Sequence, residues 1–276
     1  MTETRSYYTP RGGLPAQHER HYDPARFTTA YAVIPAATMS DIVTSFLPGW
    51  EKTRAWIIAR PLSGFAETFA QLIVEVAPGG GAATPEPDAG AEGVLFVVDG
   101  TLTLTLEGTE HALTPGGYAF LPPGARWSVT NATEATTTFH WVRKRYEPAP
   151  GIPAPEAFVS HDDAVTPNAM PDTNGSWATT RFVDPSDLRH DMHVNIVTFG
   201  KGGRIPFAET HIMEHGLYVL EGRARYLLNT DWVEVGPGDF MWLRAFCPQA
   251  CEQIGDEPFR YLLYKDVNRH PSLVLA

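Results

Sequence analysis

The chain repeats itself. Displaced by 122 residues without a gap, Gly81 falls on Gly203, Asp99-Gly100 on Glu221-Gly222, Gly116 on Gly238 and Tyr118 on Phe240. Glycines that hold register over so long a shift, all near strand turns, restrict the fold to two copies of one small domain. The runs between them say which kind. "GVLFVVDGTLTLTLEG" (93–108), "GYAFLPPG" (117–124), "TTTFHWV" (136–142), "MHVNIVTFG" (192–200), "GLYVLEGRARYLLN" (216–229), "DFMWLR" (239–244) and "FRYLLYKDV" (259–267) are β-branched, aromatic and bounded by turn residues, as strands are. Helical periodicity is nearly absent, and short helices are expected only near 40–46 and 184–189. Many short strands at this spacing predict an all-β fold of sandwiches or barrels.

Residues 146–175 carry six prolines and little strand pattern, which predicts a stiff, extended connector. The expected organisation is an N-terminal segment (1–60) packed on the barrels, a first barrel (61–146), a proline-rich linker (147–180) and a second barrel (181–276). A formal net charge of −11 argues against a nucleic acid or a membrane surface as partner, because both need a basic face. It leaves room for a small anion held by a few local cations. Cys247 and Cys251 are the two cysteines, too few for a disulfide framework. No apolar run reaches 18 residues, and the N-terminus lacks a signal peptide's apolar stretch. A cytoplasmic protein is expected.

One short stretch concentrates chemistry. "AETHIMEHGLYVLEG" (208–222) holds Glu209, His211 and His215 within seven residues. All three are odd-numbered, so they share one face if the segment stays extended, with Thr210, Ile212 and Glu214 on the other. A Glu-x-His pair, a third donor four residues on and a donor from another strand read as a metal site. Three such groups buried unpaired would be costly. His190 and His193 are spaced for no such motif and read as local hydrogen-bonding residues. His18 and His21 read as surface residues, Cys247 and Cys251 as buried free thiols.

These residues resemble the cupins, double-stranded β-helix barrels marked by two motifs. Gly203, five residues, Glu209-Thr-His211, three residues, His215, six residues, Gly222 follows the first motif with Glu and His exchanged. Gly238, five residues, Arg244-Ala-Phe246, two residues, Gln249 follows the second with Gln in the histidine slot. The resemblance implies a bicupin of two tandem barrels, the second holding a metal through Glu209, His211, His215 and Gln249. That donor set suits Mn²⁺, Fe²⁺, Co²⁺, Ni²⁺ or Zn²⁺. Its oxygens lean towards Mn²⁺, while raw affinity leans away from it. In the first half, the matching positions are Pro87, Ala89 and Gly93, with Trp127 in the histidine slot of the second motif. This barrel is expected to hold no metal, with Arg126-Trp127 filling it. Cupins pair barrels across sheet edges, so a homo-oligomer is expected.

Within the cupins, the chain is similar to the (S)-ureidoglycine aminohydrolases of allantoin breakdown, above all in "ETHIMEHGLYVLEG", "GDFMWLRAFCPQ" and the tail "YLLYKDVNR". The family has an empty first barrel and a manganese-binding second barrel. The resemblance implies hydrolysis of (S)-ureidoglycine, a small anionic ureido acid, to (S)-ureidoglycolate and ammonia. It makes Tyr226, Tyr261, Lys265 and Gln249 substrate-binding. The leaving nitrogen needs a proton, and Tyr261, Lys265 or the free oxygen of Glu209 could move it. Water attacks the same face if the configuration is kept. The first barrel carries Leu104, Phe139 and Arg143 where the second has Tyr226, Tyr261 and Lys265. Another metal-dependent cupin hydrolase, lyase, isomerase or oxygenase acting on a small polar acid stays open, as does a non-enzymatic binding protein.

Overall fold

The computed structural model describes residues 7, 25–40, 44–61, 65–267 and 269. The first half is one sheet that curls on itself. Its strands run in the order Phe158–His161, Gly117–Leu121, Ala91–Asp99, Thr137–Arg145, Phe69–Ala82, Trp127–Thr130, Leu102–Leu106 and Thr109–Leu113, with Trp50–Ala59 also paired on Phe69–Ala82. In the second half, an eight-stranded sheet carries Phe240–Leu243, His215–Glu221, Phe259–Asp266, Met192–Phe199 and Trp177–Thr180 side by side. A three-stranded sheet of Asp231–Val235, Arg223–Leu228 and Gln249–Ile254 faces it. The segment between Met192–Phe199 and His215–Glu221 is tied to this smaller sheet by isolated bridges at Arg204–Glu252 and Glu209–Gln249. The fold is an all-β double barrel.

The repeated glycines explain themselves. Gly100 and Gly222 stand at φ of +74° and +69°, Gly116 and Gly238 at +92° and +89°. These left-handed turns fit glycine, which has no Cβ to clash. At Gly100 and Gly222 a Cβ would also strike the backbone of Thr136 and Pro258. Both copies therefore keep the same residues at the same turns.

Three cores, not two, hold the molecule. Leu72, Val74, Leu95, Leu104, Phe139 and Trp141 fill the first barrel. Val197, Leu217, Val219, Tyr226, Met241 and Tyr261 fill the second. The third lies between the barrels, where Phe69, Ile73, Val94 and Phe96 of the first meet Val194, Ile196, Tyr218, Leu262 and Tyr264 of the second. Strands alternate sides, so Ala91–Asp99 sends Leu95 and Val97 inward and Val94, Phe96 and Val98 outward. Phe69 stacks on Tyr264 across this seam, with ring centroids 3.9 Å apart.

Several expectations change. The helix expected at 40–46 lies at Ala36–Ser40; Ser45 instead bridges Ala55, and residues 41–43 lie outside those described. Residues 184–189 form turns. The Asp184 carboxylate accepts from Ser186 N and Oγ, and the Asp187 carboxylate from Arg189 N, so the side chains compete with helical hydrogen bonding. The proline-rich stretch is more than a connector: Phe158–His161 pairs with Gly117–Leu121. The N-terminal stretch enters both sheets, as Tyr31–Ile34 pairs with Phe240–Leu243 and Trp50–Ala59 with Phe69–Ala82. His18 and His21 lie outside the described residues. Among those residues, no helix is long and apolar enough to cross a membrane.

Candidate metal centre

Glu209 and Gln249 sit directly opposite each other. Glu209 N–H donates to Gln249 O and Gln249 N–H to Glu209 O, both at 2.9 Å, the doubly bonded pair of an antiparallel ladder. This fixes two candidate donors on one face. The segment does not then stay extended. It bends at Ile212–Met213, held where Phe246 N–H donates to the His211 carbonyl at 2.6 Å, and His215 opens a new strand. The bend, rather than strand alternation, brings the donors together. The His211 and His215 rings lie nearly parallel, 5.3 Å apart, and His211 Nε2 stands 3.3 Å from Glu209 Oε1. Among the described residues, no three His, Cys, Asp or Glu side chains close into a preassembled metal cluster. What converges is a mixed set of two imidazoles, a carboxylate and an amide.

That set fits a divalent transition ion. Burial, and then the neighbouring His211, hold His215 far below the usual histidine range, at about 3. Its imidazole therefore stays neutral, the form that ligates. Tyr226 donates its hydroxyl to Gln249 Oε1 at 3.0 Å, which orients the amide and leaves the oxygen a second lone pair. Tyr226 itself is buried under Gln249 and is not among the residues lining the cavity.

The cavity holds about 150 Å³ and is lined by Glu209, His211, His215, Gln249, Tyr261 and Lys265. A void of about this size takes benzene, so the ligand must be small. Cross-strand pairing builds the wall. Lys265 lies opposite His215 on one side and His193 on the other, and Tyr261 opposite Val219 and Val197. Lys265 makes no hydrogen bond or ion pair among the described residues, and burial, then Arg181, lowers its pKa. Burial raises the Tyr261 and Tyr226 phenols, so both stay protonated.

Among the lining residues that the sequence did not single out, one is charged and one carries an amide. Arg181 is a second cation without an ion-pair partner among the described residues. Asn195 is buried with its Oδ1 unpaired. Its parity with His193 and Val197 in "MHVNIVTFG" was the available signal. His193 is not a local hydrogen-bonding residue: its Nε2 is buried without a partner beside Lys265, and burial lowers it to about 4. His190 bonds backbone-to-backbone to Asp187 and packs its ring on Phe120 of the first barrel. Cys247 and Cys251 are buried and free.

The first barrel has a mouth of its own, about 170 Å³, lined by Pro87, Ala89, Gly93, Trp127 and Trp141. The positions matching the second barrel's donors thus surround space without offering a ligand side chain. Trp127 packs into the barrel, but Arg126 does not: it is exposed and pairs with Glu107.

Residues 72–143 and 195–264 each match the Cupin domain family. The (S)-ureidoglycine aminohydrolase of Escherichia coli is 31% identical over 236 residues, 84% of this chain and 87% of that protein. The chain belongs to the (S)-ureidoglycine aminohydrolase family of cupins. The (S)-ureidoglycine aminohydrolase of Arabidopsis thaliana is 32% identical over 83% of this chain and 74% of its own. The crystal structure of a protein from Pseudomonas aeruginosa named for glyoxylate induction shares 64% identity and a TM-score of 0.92, covering 99% of this chain and 100% of that one.

Proposed function

We propose that the chain hydrolyses (S)-ureidoglycine to (S)-ureidoglycolate and ammonia, with a divalent metal held by Glu209, His211, His215 and Gln249. One observation carries the reading: two cations, Lys265 and Arg181, with no hydrogen bond or ion pair among the described residues, share a small cavity with a two-His, Glu, Gln donor set. A divalent ion with one carboxylate leaves about one positive charge, and with Lys265 and Arg181 the cavity favours an anion in an otherwise acidic chain. When bound, such an ion would supply Lewis acidity beside the substrate. Mn²⁺ is the ion we favour, for the oxygen ligands of Glu209 and Gln249.

The substrate carries a carboxylate, an amine and a ureido group on one carbon. Arg181 and Lys265 hold the carboxylate side, and Asn195 offers its amide to the ureido group. The C–N bond to the amine breaks with its electron pair going to nitrogen, which takes a proton and leaves as ammonia. Water then adds to Cα through oxygen and gives up a proton. Lys265 is the acid we assign, because its pKa moves towards neutrality while that of Tyr261 moves away, and proton transfer works best near the ambient pH.

The shared (S) descriptor does not mean kept geometry. A hydroxyl outranks the ureido nitrogen, whereas an amine does not. An (S) substrate giving an (S) product is therefore inverted in space, and water arrives opposite the departing amine, not on the same face. Lys265 stands on the eight-stranded sheet, and Glu209 is bridged to the three-stranded sheet that faces it. Acid and base on opposed walls suit that course, with the free oxygen of Glu209 receiving the proton from water.

The test is ammonia release by the manganese-loaded protein, with allantoate amidohydrolase generating the unstable substrate in place and the product's configuration read by circular dichroism. Stereospecific release is expected. No release from metal-loaded protein would refute the reading.

A further inference from the structure

Glu214 lies between two cavity residues, Met213 and His215, yet its side chain leaves the cavity for the seam between the barrels and is 3% exposed. There its carboxylate meets four donors. Oε1 accepts from Glu67 N–H at 2.6 Å and Trp242 Nε1–H at 2.5 Å, and Oε2 accepts from Thr68 N–H at 2.9 Å and Thr68 Oγ1 at 2.5 Å. An ionised carboxylate has about four acceptor sites and no donor, so this arrangement saturates it. A glutamine would turn an NH₂ towards N–H groups. The Glu214 N–H in turn donates to Asp266 Oδ1 at 2.6 Å, beside Lys265.

Glu67 and Thr68 precede the first barrel's strand Phe69–Ala82. Their reach is wider than Glu214. The Glu67 carboxylate accepts from Arg244 Nε at 2.9 Å, and Arg244 begins the loop that leads to Gln249. Thr68 Oγ1 also meets the Tyr264 hydroxyl at 2.8 Å, next in sequence to Lys265. Two residues of the first barrel thus touch the segment of Glu209, His211 and His215, the loop before Gln249 and the strand of Lys265.

We infer that the first barrel serves the second as a brace, with Glu214 the positioning residue through which Glu67 and Thr68 set the direction of His215 and the segment before it. This rests on the metal-site reading above. Packing alone does not ask for a buried carboxylate: an apolar residue would fill the seam without four aligned donors. The four-donor cradle defines the angle at which the chain leaves the bend at Ile212–Met213 and starts the strand at His215.

The test uses the full chain, with E214Q and the gentler T68V, which removes one hydroxyl donor and keeps both backbone donors. Mn²⁺ affinity by titration calorimetry, the visible spectrum of the Co²⁺ form, kcat and KM, and thermal midpoint are measured for both and for wild type. E214Q should weaken Mn²⁺ 10- to 100-fold, roughly the range for groups that orient ligands, and shift the Co²⁺ spectrum well below its melting temperature. T68V should weaken Mn²⁺ a few-fold, which keeps the idea testable if E214Q does not fold. Lowered midpoints with unchanged metal affinity and spectrum would make Glu214 merely structural and overturn the inference. Wild-type protein that binds no metal would overturn the metal-site reading, and this inference with it.

Discussion

Replacing Gly216 with alanine tests the seam next to the site. A Cβ there would lie 2.5 Å from Phe69 Cζ and 2.9 Å from Cε2. Ordinary contacts between such atoms are near 3.5–4.0 Å, so about 1 Å must be found. Phe69 cannot supply it easily, being fully buried and stacked on Tyr264 at 3.9 Å. Overpacking of this kind costs about 1–3 kcal/mol. Gly216 is in extended backbone of the strand His215–Glu221, so alanine recovers about 0.4–1 kcal/mol by restricting the unfolded chain. The net loss is about 1–2 kcal/mol, or roughly 2–4 °C in Tm for a chain of this size. F69L removes the atoms in the way, at its own cost of about 1–2 kcal/mol for lost packing. Combined, the two changes should cost at least about 1 kcal/mol less than their sum. Urea denaturation of both single variants and the double variant measures that coupling. Additivity within about 0.5 kcal/mol, as expected of independent sites, would refute the close approach of the two barrels at this point.

Y226F deletes the donor that orients Gln249. The buried amide oxygen loses its partner, so stability should fall by about 1–3 kcal/mol and Mn²⁺ binding by about tenfold, read by calorimetry. R181M should raise KM more than it lowers kcat, because the role proposed for Arg181 is to hold the substrate carboxylate without moving a proton; K265M, which removes the proposed acid as well as a carboxylate contact, should both lower kcat and raise KM in steady-state kinetics. Acidification should separate two groups. His193, lowered from 6.5 to about 4, binds fewer protons folded than unfolded, so its share of stability, on the order of 3 kcal/mol at about 1.4 kcal/mol per pH unit, is lost as pH falls from about 6.5 to about 4. Asp266, raised from 3.8 to about 6 by burial, acts in the opposite sense, and stability gains from it as pH falls through about 6 to about 4. H193Q should therefore flatten the acid loss and D266N should steepen it, followed by denaturation from pH 7 to pH 4.

The repeat, the strands and the stretch that holds the candidate donors are legible because each leaves a local trace. Glycine marks the left-handed turns at Gly100 and Gly222, and a permuted Glu-x-His-x3-His is hard to mistake for a surface. What was hidden depends on distant parts of the chain. The bend at Ile212–Met213 is held by Phe246, 34 residues away from Ile212, and nothing in "ETHIMEH" announces it. Arg181 reads as an ordinary exposed arginine until the sheet places it at the mouth. Phe158–His161 looks like loop because its prolines dominate the composition, and it pairs as an edge strand, where proline nearby is tolerated. The third core had a signal that went unread. "GVLFVV" and "GLYVL" are apolar without alternation, and a strand of that kind is buried on both faces.

That third core has a bearing on how the chain is made. Phe69, Ile73, Val94 and Phe96 leave the ribosome about a hundred residues before Val194 and Ile196, which cover them. At roughly 5–20 residues per second, the first barrel waits on the order of 10 s with its outer wall bare. During that interval it presents the kind of surface that chaperones bind and that neighbouring nascent chains stick to. The second barrel, by contrast, emerges onto a finished template. Its strands from Met192 onward meet a preformed apolar wall, so the half with the candidate donor set folds against the half made before it.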